Sequence, residues 1–69
     1  MELTKNQKEF IEEKYDSMDP RNIEFEEMVS LIVDDLLDEN IVDISEDDDG
    51  DAHEDLYNTV WEHLEFYLR

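Results

Sequence analysis

The stretch from residue 22 to residue 68 contains seventeen Asp and Glu residues and no Lys or Arg. Over all 69 residues, 23 acidic residues stand against 5 basic ones, and the formal net charge is −18. Carboxylates are almost never fully buried unless they are paired, and charge of one sign opposes compaction. Any fold must therefore keep these groups at its surface and gather the apolar side chains on separate faces.

Disorder is the first alternative, because low hydrophobicity with high net charge is typical of disordered chains. However, hydrophobic residues make up 39% of the chain and include one Trp, three Phe and three Tyr. Their spacing is also periodic, so we expect the chain to fold. Its length favours a single acidic helical domain over 1–69. The absence of Cys leaves no disulfide or thiolate–metal bond to stabilise that domain.

The periodicity predicts a first helix over about 5–17. Thr4 and Gln7 have the spacing of a capping box. The apolar residues that recur near one face are Phe10, Ile11, Tyr15 and Met18.

A second helix is predicted over about 20–39. Asp19 is suited to cap it and Pro20 to be its first residue, while Asn40 is suited to end it. Its apolar stripe comprises Phe25, Met28, Val29, Ile32, Leu36 and Leu37.

A third helix is predicted over about 52–68, with Asp51 as its cap. Its stripe comprises Tyr57, Val60, Trp61, Leu64 and Leu68. Residues 41–45 could be a short strand, but no second strand is available to pair with it, so an extended connector is expected there. The expected fold is all-α, a small three-helix bundle.

The segment EDDDGDAHED, residues 46–55, suggests a calcium loop. Aligning Gly50 with the obligatory glycine of that motif puts Ser45 at the first ligand position and Leu56 at the last. Neither anchoring position has a carboxylate. We therefore predict no metal site, and a degenerate calcium-binding domain remains a minor alternative.

We also predict that the chain is not an enzyme and needs no cofactor. With 23 acidic residues, a carboxylate pair occurs at any chosen spacing by chance. The single Gly excludes a glycine-rich phosphate loop, and no Ser lies in a G-x-S-x-G setting. His63, beside Glu62, is interpreted as a surface residue. No secretory signal follows Met1 and no stretch is apolar enough to span a membrane, so we expect a cytoplasmic protein.

The aromatic residues of the third helix divide into two groups. Tyr57 and Trp61 lie on its apolar stripe and are predicted to belong to the core. Phe66 and Tyr67 lie off the stripe, where they could contact a partner or a second copy of the chain. Homodimerisation therefore remains open.

The acidic residues predict the binding surface. Side chains three or four residues apart on a helix lie roughly 5–6 Å from one another, a spacing similar to that of phosphates along a DNA strand, where charge is dense. We expect a basic partner protein, and neither nucleic acid nor an anionic membrane as a direct ligand. The predicted partner-binding residues are Glu27, Asp34, Asp35, Asp38, Glu39, Asp43, Glu46, Asp47, Asp48, Asp49, Asp51, Glu54 and Asp55.

In size, in the absence of Cys and in the one-signed charge of residues 22–68, the whole chain resembles the small acidic DNA-mimic proteins of bacteriophages. The resemblance involves no sequence motif. It implies an inhibitor that occupies the DNA-binding surface of a host protein in the bacterial cytoplasm. A short phage inhibitor of the histone-like nucleoid protein HU is similar in size and character; other mimics target restriction enzymes, uracil-DNA glycosylase, RNA polymerase or CRISPR nucleases. The alternative is an acidic interaction module, of immunity or chaperone type, for another basic protein.

Overall fold

The computed structural model describes residues 2–42 and 51–69, except for the side chain of residue 51. Within these residues the chain forms three helices, α1 (Lys5–Ser17), α2 (Phe25–Asp38) and α3 (Asp51–Tyr67). Each helix packs against the other two. The Cα radius of gyration is 11.6 Å, close to the roughly 11 Å expected of a compact chain of this length. The predicted three-helix bundle is confirmed.

α1 begins where the capping box predicts. Thr4 Oγ1 accepts a hydrogen bond from Gln7 N at 3.2 Å, and Gln7 Oε1 accepts one from Thr4 N at 2.8 Å. Gln7 Nε2 also donates to the carbonyl of Ile41 at 3.0 Å. The first turn of α1 is therefore tied to the segment that follows α2.

α2 begins at Phe25, five residues after the predicted start at Pro20. The Asp19 carboxylate accepts from Arg21 N at 3.0 Å and from Asn22 Nδ2 at 2.9 Å. These short-range bonds close a separate turn, because an Asp side chain can offer the backbone an alternative to helix. The chain then extends at Glu24, with φ −69° and ψ 152°, before α2 starts.

α2 ends at Asp38 and its C-cap is Glu39, one residue before the predicted end and the predicted cap. Asn40 has φ 56°, and its N–H donates to the Leu37 carbonyl at 3.2 Å while that of Ile41 donates to Leu36 at 2.9 Å. This pair of bonds is the Schellman motif, in which a left-handed residue lets the chain leave the helix. Ile41 and Val42 form a bend, and residues 43–45 of the predicted extended segment lie outside the described residues.

The core lies between the three helices. Burial of each large aliphatic side chain stabilises the fold by about 1.5–3 kcal/mol. Tyr57 and Trp61 pack against this cluster, as predicted, and the Trp61 ring meets Phe25 edge to face with centroids 4.6 Å apart. The buried residues of the cluster are Ile11, Val29, Ile32, Val33, Leu36, Val42, Leu56, Val60 and Leu64.

Candidate partner-binding surface

Three of the predicted carboxylates lie together on the outer face of α2. Glu27, Asp34 and Asp38 are all exposed. At 3.6 residues per turn they fall within roughly 40° of one another around the helix axis, and they span roughly 16 Å along it. The buried residues of α2 occupy the opposite face. We call these three residues the α2 row.

Asp35 and Glu39, also predicted, lie on the side of α2 that faces α1. Lys14 Nζ is 3.6 Å from Asp35 Oδ2 and 3.9 Å from Glu39 Oε2. Lys14 also lies 5.3 Å from the centre of the Phe10 ring. A cation of the same chain thus offsets these two carboxylates, so they contribute less than the α2 row to an outward negative field.

The structure divides the remaining predicted residues. Glu54 and Asp55 are exposed near the start of α3. Asp51 is the first residue of that helix rather than the residue before it. The other five, which lie outside the described residues, are Asp43, Glu46, Asp47, Asp48 and Asp49.

Two further carboxylates of α3, Glu62 and Glu65, are exposed but were not predicted to take part. They follow Asp55 and Glu54 by seven and eleven residues, spacings that return to the same side of a helix. That spacing is visible in the sequence and could have identified them. Glu65 Oε1 accepts a hydrogen bond from Trp61 Nε1, which holds this carboxylate in place. We call Glu54, Asp55, Glu62 and Glu65 the α3 row.

The basic residues lie elsewhere in the chain. Lys5, Lys8 and Lys14 belong to α1, Arg21 follows it, and Arg69 is the last residue. Neither α2 nor α3 contains a Lys or Arg. The α2 row and the α3 row are therefore carried by two adjacent helices with carboxylates as their only fully charged groups.

His63 is not the surface residue that the sequence suggested. Its side chain is only 14% exposed, and Nε2 lies 2.9 Å from Glu12 Oε2. The prediction was wrong because His63 points toward α1, which the position of Glu62 in sequence does not reveal. This contact connects α3 to α1.

Tyr67 makes a second connection between α3 and α1. Its hydroxyl donates to Asp16 Oδ2 at 3.1 Å, and its ring meets Tyr15 edge to face at 6.4 Å. The pKa of Tyr67 is raised above its usual value of 10.0, mainly because of the hydrogen bond to the Asp16 carboxylate. Phe66, the neighbouring aromatic residue, makes no such connection and is 76% exposed.

The calcium alternative can be examined at one end of its loop. Leu56, at the last ligand position, is fully buried in the core and has no side-chain oxygen to replace the bidentate carboxylate of that position. Ser45 and Gly50 lie outside the described residues. Within 2–42 and 52–69, no group of three or more His, Asp or Glu side chains could hold a metal ion.

A shallow groove of about 520 Å³ lies between the start of the chain and α3. Its lining mixes acidic, basic and apolar side chains, so it does not extend the one-signed surface. The lining residues are Glu2, Leu3, Lys8, Thr59, Glu62 and His63.

Comparisons with protein families, with characterised proteins and with solved structures find no match to this chain. Any function must therefore be argued from its own residues. None of the described helices combines the length and apolar character needed to cross a membrane.

Proposed function

We propose that the chain is an acidic protein-binding module that presents the α2 row and the α3 row to the basic surface of a partner. Within that class, we propose a DNA mimic, encoded by a phage, that occupies the DNA-binding surface of a host protein. The histone-like nucleoid protein HU is our first candidate target, on the resemblance described above.

The separation of charge between the helices supports this proposal best. α2 and α3 contain no Lys or Arg, whereas α1 contains three Lys, one of which, Lys14, lies against Asp35 and Glu39. A surface that needed only solubility could intersperse both signs at moderate net charge. Here the outward faces of two adjacent helices have one sign.

The spacing of the carboxylates suits a phosphate-like array. Asp34 and Asp38 are one turn apart, which brings such side chains within roughly 5–6 Å. Because α2 is fixed by a buried stripe, the backbone positions that carry its carboxylates are set before binding, and only the side chains need to be ordered when the partner docks.

Inhibition would follow from competition for one groove. Lys and Arg side chains that bind phosphates would bind the carboxylates of the two rows instead, and DNA would be excluded. Such contacts speed association and weaken as salt screens them. The proposal includes no catalytic residue and no cofactor, and it places the protein with its target in the host bacterial cytoplasm.

A displacement experiment tests the proposal. A fluorescently labelled DNA duplex is bound to purified HU at low salt, and the acidic protein is titrated into the complex. We expect the duplex to be released, and we expect the affinity of the protein for HU to fall steeply as NaCl is added. If HU holds protein and duplex together, the DNA-mimic proposal for HU is wrong and the general acidic interaction module is favoured.

Matched charge variants localise the contact. The variant Glu27→Gln, Asp34→Asn, Asp38→Asn removes the three charges of the α2 row. The control Glu2→Gln, Glu9→Gln, Glu13→Gln removes three exposed charges at or before α1. We expect the first variant to bind HU more weakly and with a shallower salt dependence than the control. Equal losses would mean that only the net charge matters, and not the surface proposed here.

Protein captured from a bacterial lysate, with and without nuclease, shows whether another target is preferred. We expect nucleic-acid-binding proteins to be captured after nuclease treatment as well as before it. Capture that requires intact nucleic acid would contradict a direct contact with the basic surface.

A further inference from the structure

Phe66 is the most exposed of the large hydrophobic side chains that the structure describes, at 76%. It does not belong to the hydrophobic cluster or to the side chains packed against it. Large hydrophobic residues scattered over a surface are common, but a Phe this exposed near the end of a well-packed helix leaves most of its apolar area in water.

The position of Phe66 on α3 places it in line with the α3 row. It follows Glu62 by four residues and Asp55 by eleven, spacings that keep all three side chains on one side of the helix. Glu65, the preceding residue, is held by Trp61 Nε1. Phe66 therefore continues a line of carboxylates that points away from the core.

We propose that Phe66 is an apolar anchor for the basic partner, so that the binding surface runs along α3 from Glu54 to Phe66. This inference rests on the proposed function and extends it. The partner would need an apolar depression at the edge of its basic groove, into which one aromatic ring fits.

Charge complementarity favours a basic occupant over a second copy of this chain. Phe66 follows the exposed Glu65 directly and the exposed Glu62 by one helical turn, and a protein with a net charge of −18 would repel its own copy. A basic partner neutralises those carboxylates while it covers the ring. Aromatic anchors of this kind supply binding energy that salt does not screen.

Binding of HU by single variants tests the anchor, with NaCl varied at each measurement. We expect Phe66→Ala to weaken binding at least about tenfold at every salt concentration and to leave the slope of log affinity against log salt unchanged. Glu62→Gln should instead make that slope shallower. Leu68→Ala is the matched control, because Leu68 is also exposed, at 50%, but follows the last residue of α3 and is two residues, roughly half a helical turn, away from Phe66. We expect its effect to stay within about twofold.

Three results would overturn the inference. If Phe66→Ala binds HU as tightly as the wild-type protein, Phe66 is not an anchor although the proposed function stands. If sedimentation shows that the isolated wild-type protein is a dimer and Phe66→Ala a monomer, the ring contacts a second copy instead. If the wild-type protein fails to displace DNA from HU, both the proposed function and the anchor are rejected for that partner. Because Phe66 is exposed, the helical circular dichroism of Phe66→Ala should match that of the wild type.

Discussion

At the scale of single residues, Asn40 shows how one backbone conformation ends a helix. Its φ of 56° lies in the left-handed region, which costs most residues roughly 1–2 kcal/mol and which Asn tolerates better than residues other than Gly. The two hydrogen bonds that close the helix depend on that conformation. The bend also brings the Ile41 carbonyl to the side chain of Gln7.

We therefore expect Asn40→Ala to lower the free energy of unfolding by about 1 kcal/mol, and Asn40→Gly to leave it unchanged or raise it slightly. Urea unfolding followed by circular dichroism measures both changes. Asn58→Ala is the control, because Asn58 is exposed in the interior of α3, where Ala is the better helix former. Equal stability of Asn40→Ala and Asn40→Gly would contradict the proposed role of the left-handed conformation.

The effect of substituting Leu56 tests whether this residue belongs to the core or to the end of a calcium loop. It is fully buried, so we expect Leu56→Ala to lower the free energy of unfolding by about 2–5 kcal/mol. That is a large part of the stability of a small domain. Leu31 is 40% exposed, so we expect Leu31→Ala to lower the free energy of unfolding by less than about 1 kcal/mol. Urea unfolding of both variants, with and without CaCl₂, provides the test. Stabilisation of the wild-type protein by micromolar calcium would revive the calcium-loop interpretation.

At the scale of the helices, α1 is joined to α3 by polar contacts as well as by the core. His63 Nε2 lies 2.9 Å from Glu12 Oε2 with both side chains partly buried, and Tyr67 donates to Asp16. Both contacts join residues that are 51 positions apart in the chain. Long-range contacts of this kind cannot be read from helical periodicity, because the periodicity of each helix says nothing about its neighbour.

A double-mutant cycle on Glu12 and His63 should reveal this connection. We expect Glu12→Ala and His63→Ala to be coupled by about 0.5–1.5 kcal/mol in the free energy of unfolding at neutral pH. Urea unfolding of the two single variants and the double variant gives the coupling energy. The control cycle pairs His63→Ala with Glu13→Ala, since Glu13 is exposed on the outer side of α1. A coupling no larger than that of the control would mean that Glu12 and His63 act independently.

At the scale of the whole molecule, repulsion among the carboxylates opposes the burial of apolar side chains between the helices. A net charge of −18 on 69 residues destabilises the compact state through self-repulsion. Salt shortens the range of that repulsion, since the Debye length falls from about 30 Å at 0.01 M to about 3 Å at 1 M. If the carboxylates serve to bind a partner, their mutual repulsion lowers the stability of the unbound protein.

We therefore expect NaCl to raise the free energy of unfolding in urea between 0.01 and 0.5 M. The variant Glu27→Gln, Asp34→Asn, Asp38→Asn should be more stable than the wild type at low salt and should gain less from added salt. Urea is required, because guanidinium chloride is itself a salt. Stability that does not change with NaCl would show that the described carboxylates are too well solvated to repel one another strongly.

Much of the fold could be predicted from the sequence because its signals are local. Apolar spacing within each segment predicted three helices, the pair Thr4 and Gln7 predicted the start of α1, and Asn40 predicted the end of α2. The start of α2 could not be predicted in this way, because Asp19 closes a separate turn with the same residues that favour a helix start. The absence of Lys and Arg from residues 22–68 is likewise a property of the sequence alone.

Tertiary packing alone decided which carboxylates of the described residues lie against a cation of another helix. It placed Lys14 against Asp35 and Glu39, directed His63 to Glu12, and brought the hydroxyl of Tyr67 to Asp16. The physical reason is that a charge or an aromatic ring acquires its role from its spatial neighbours, and those neighbours belong to other helices. The amphipathic pattern determines which face of each helix is apolar. The way the three helices pack determines which polar side chains become neighbours.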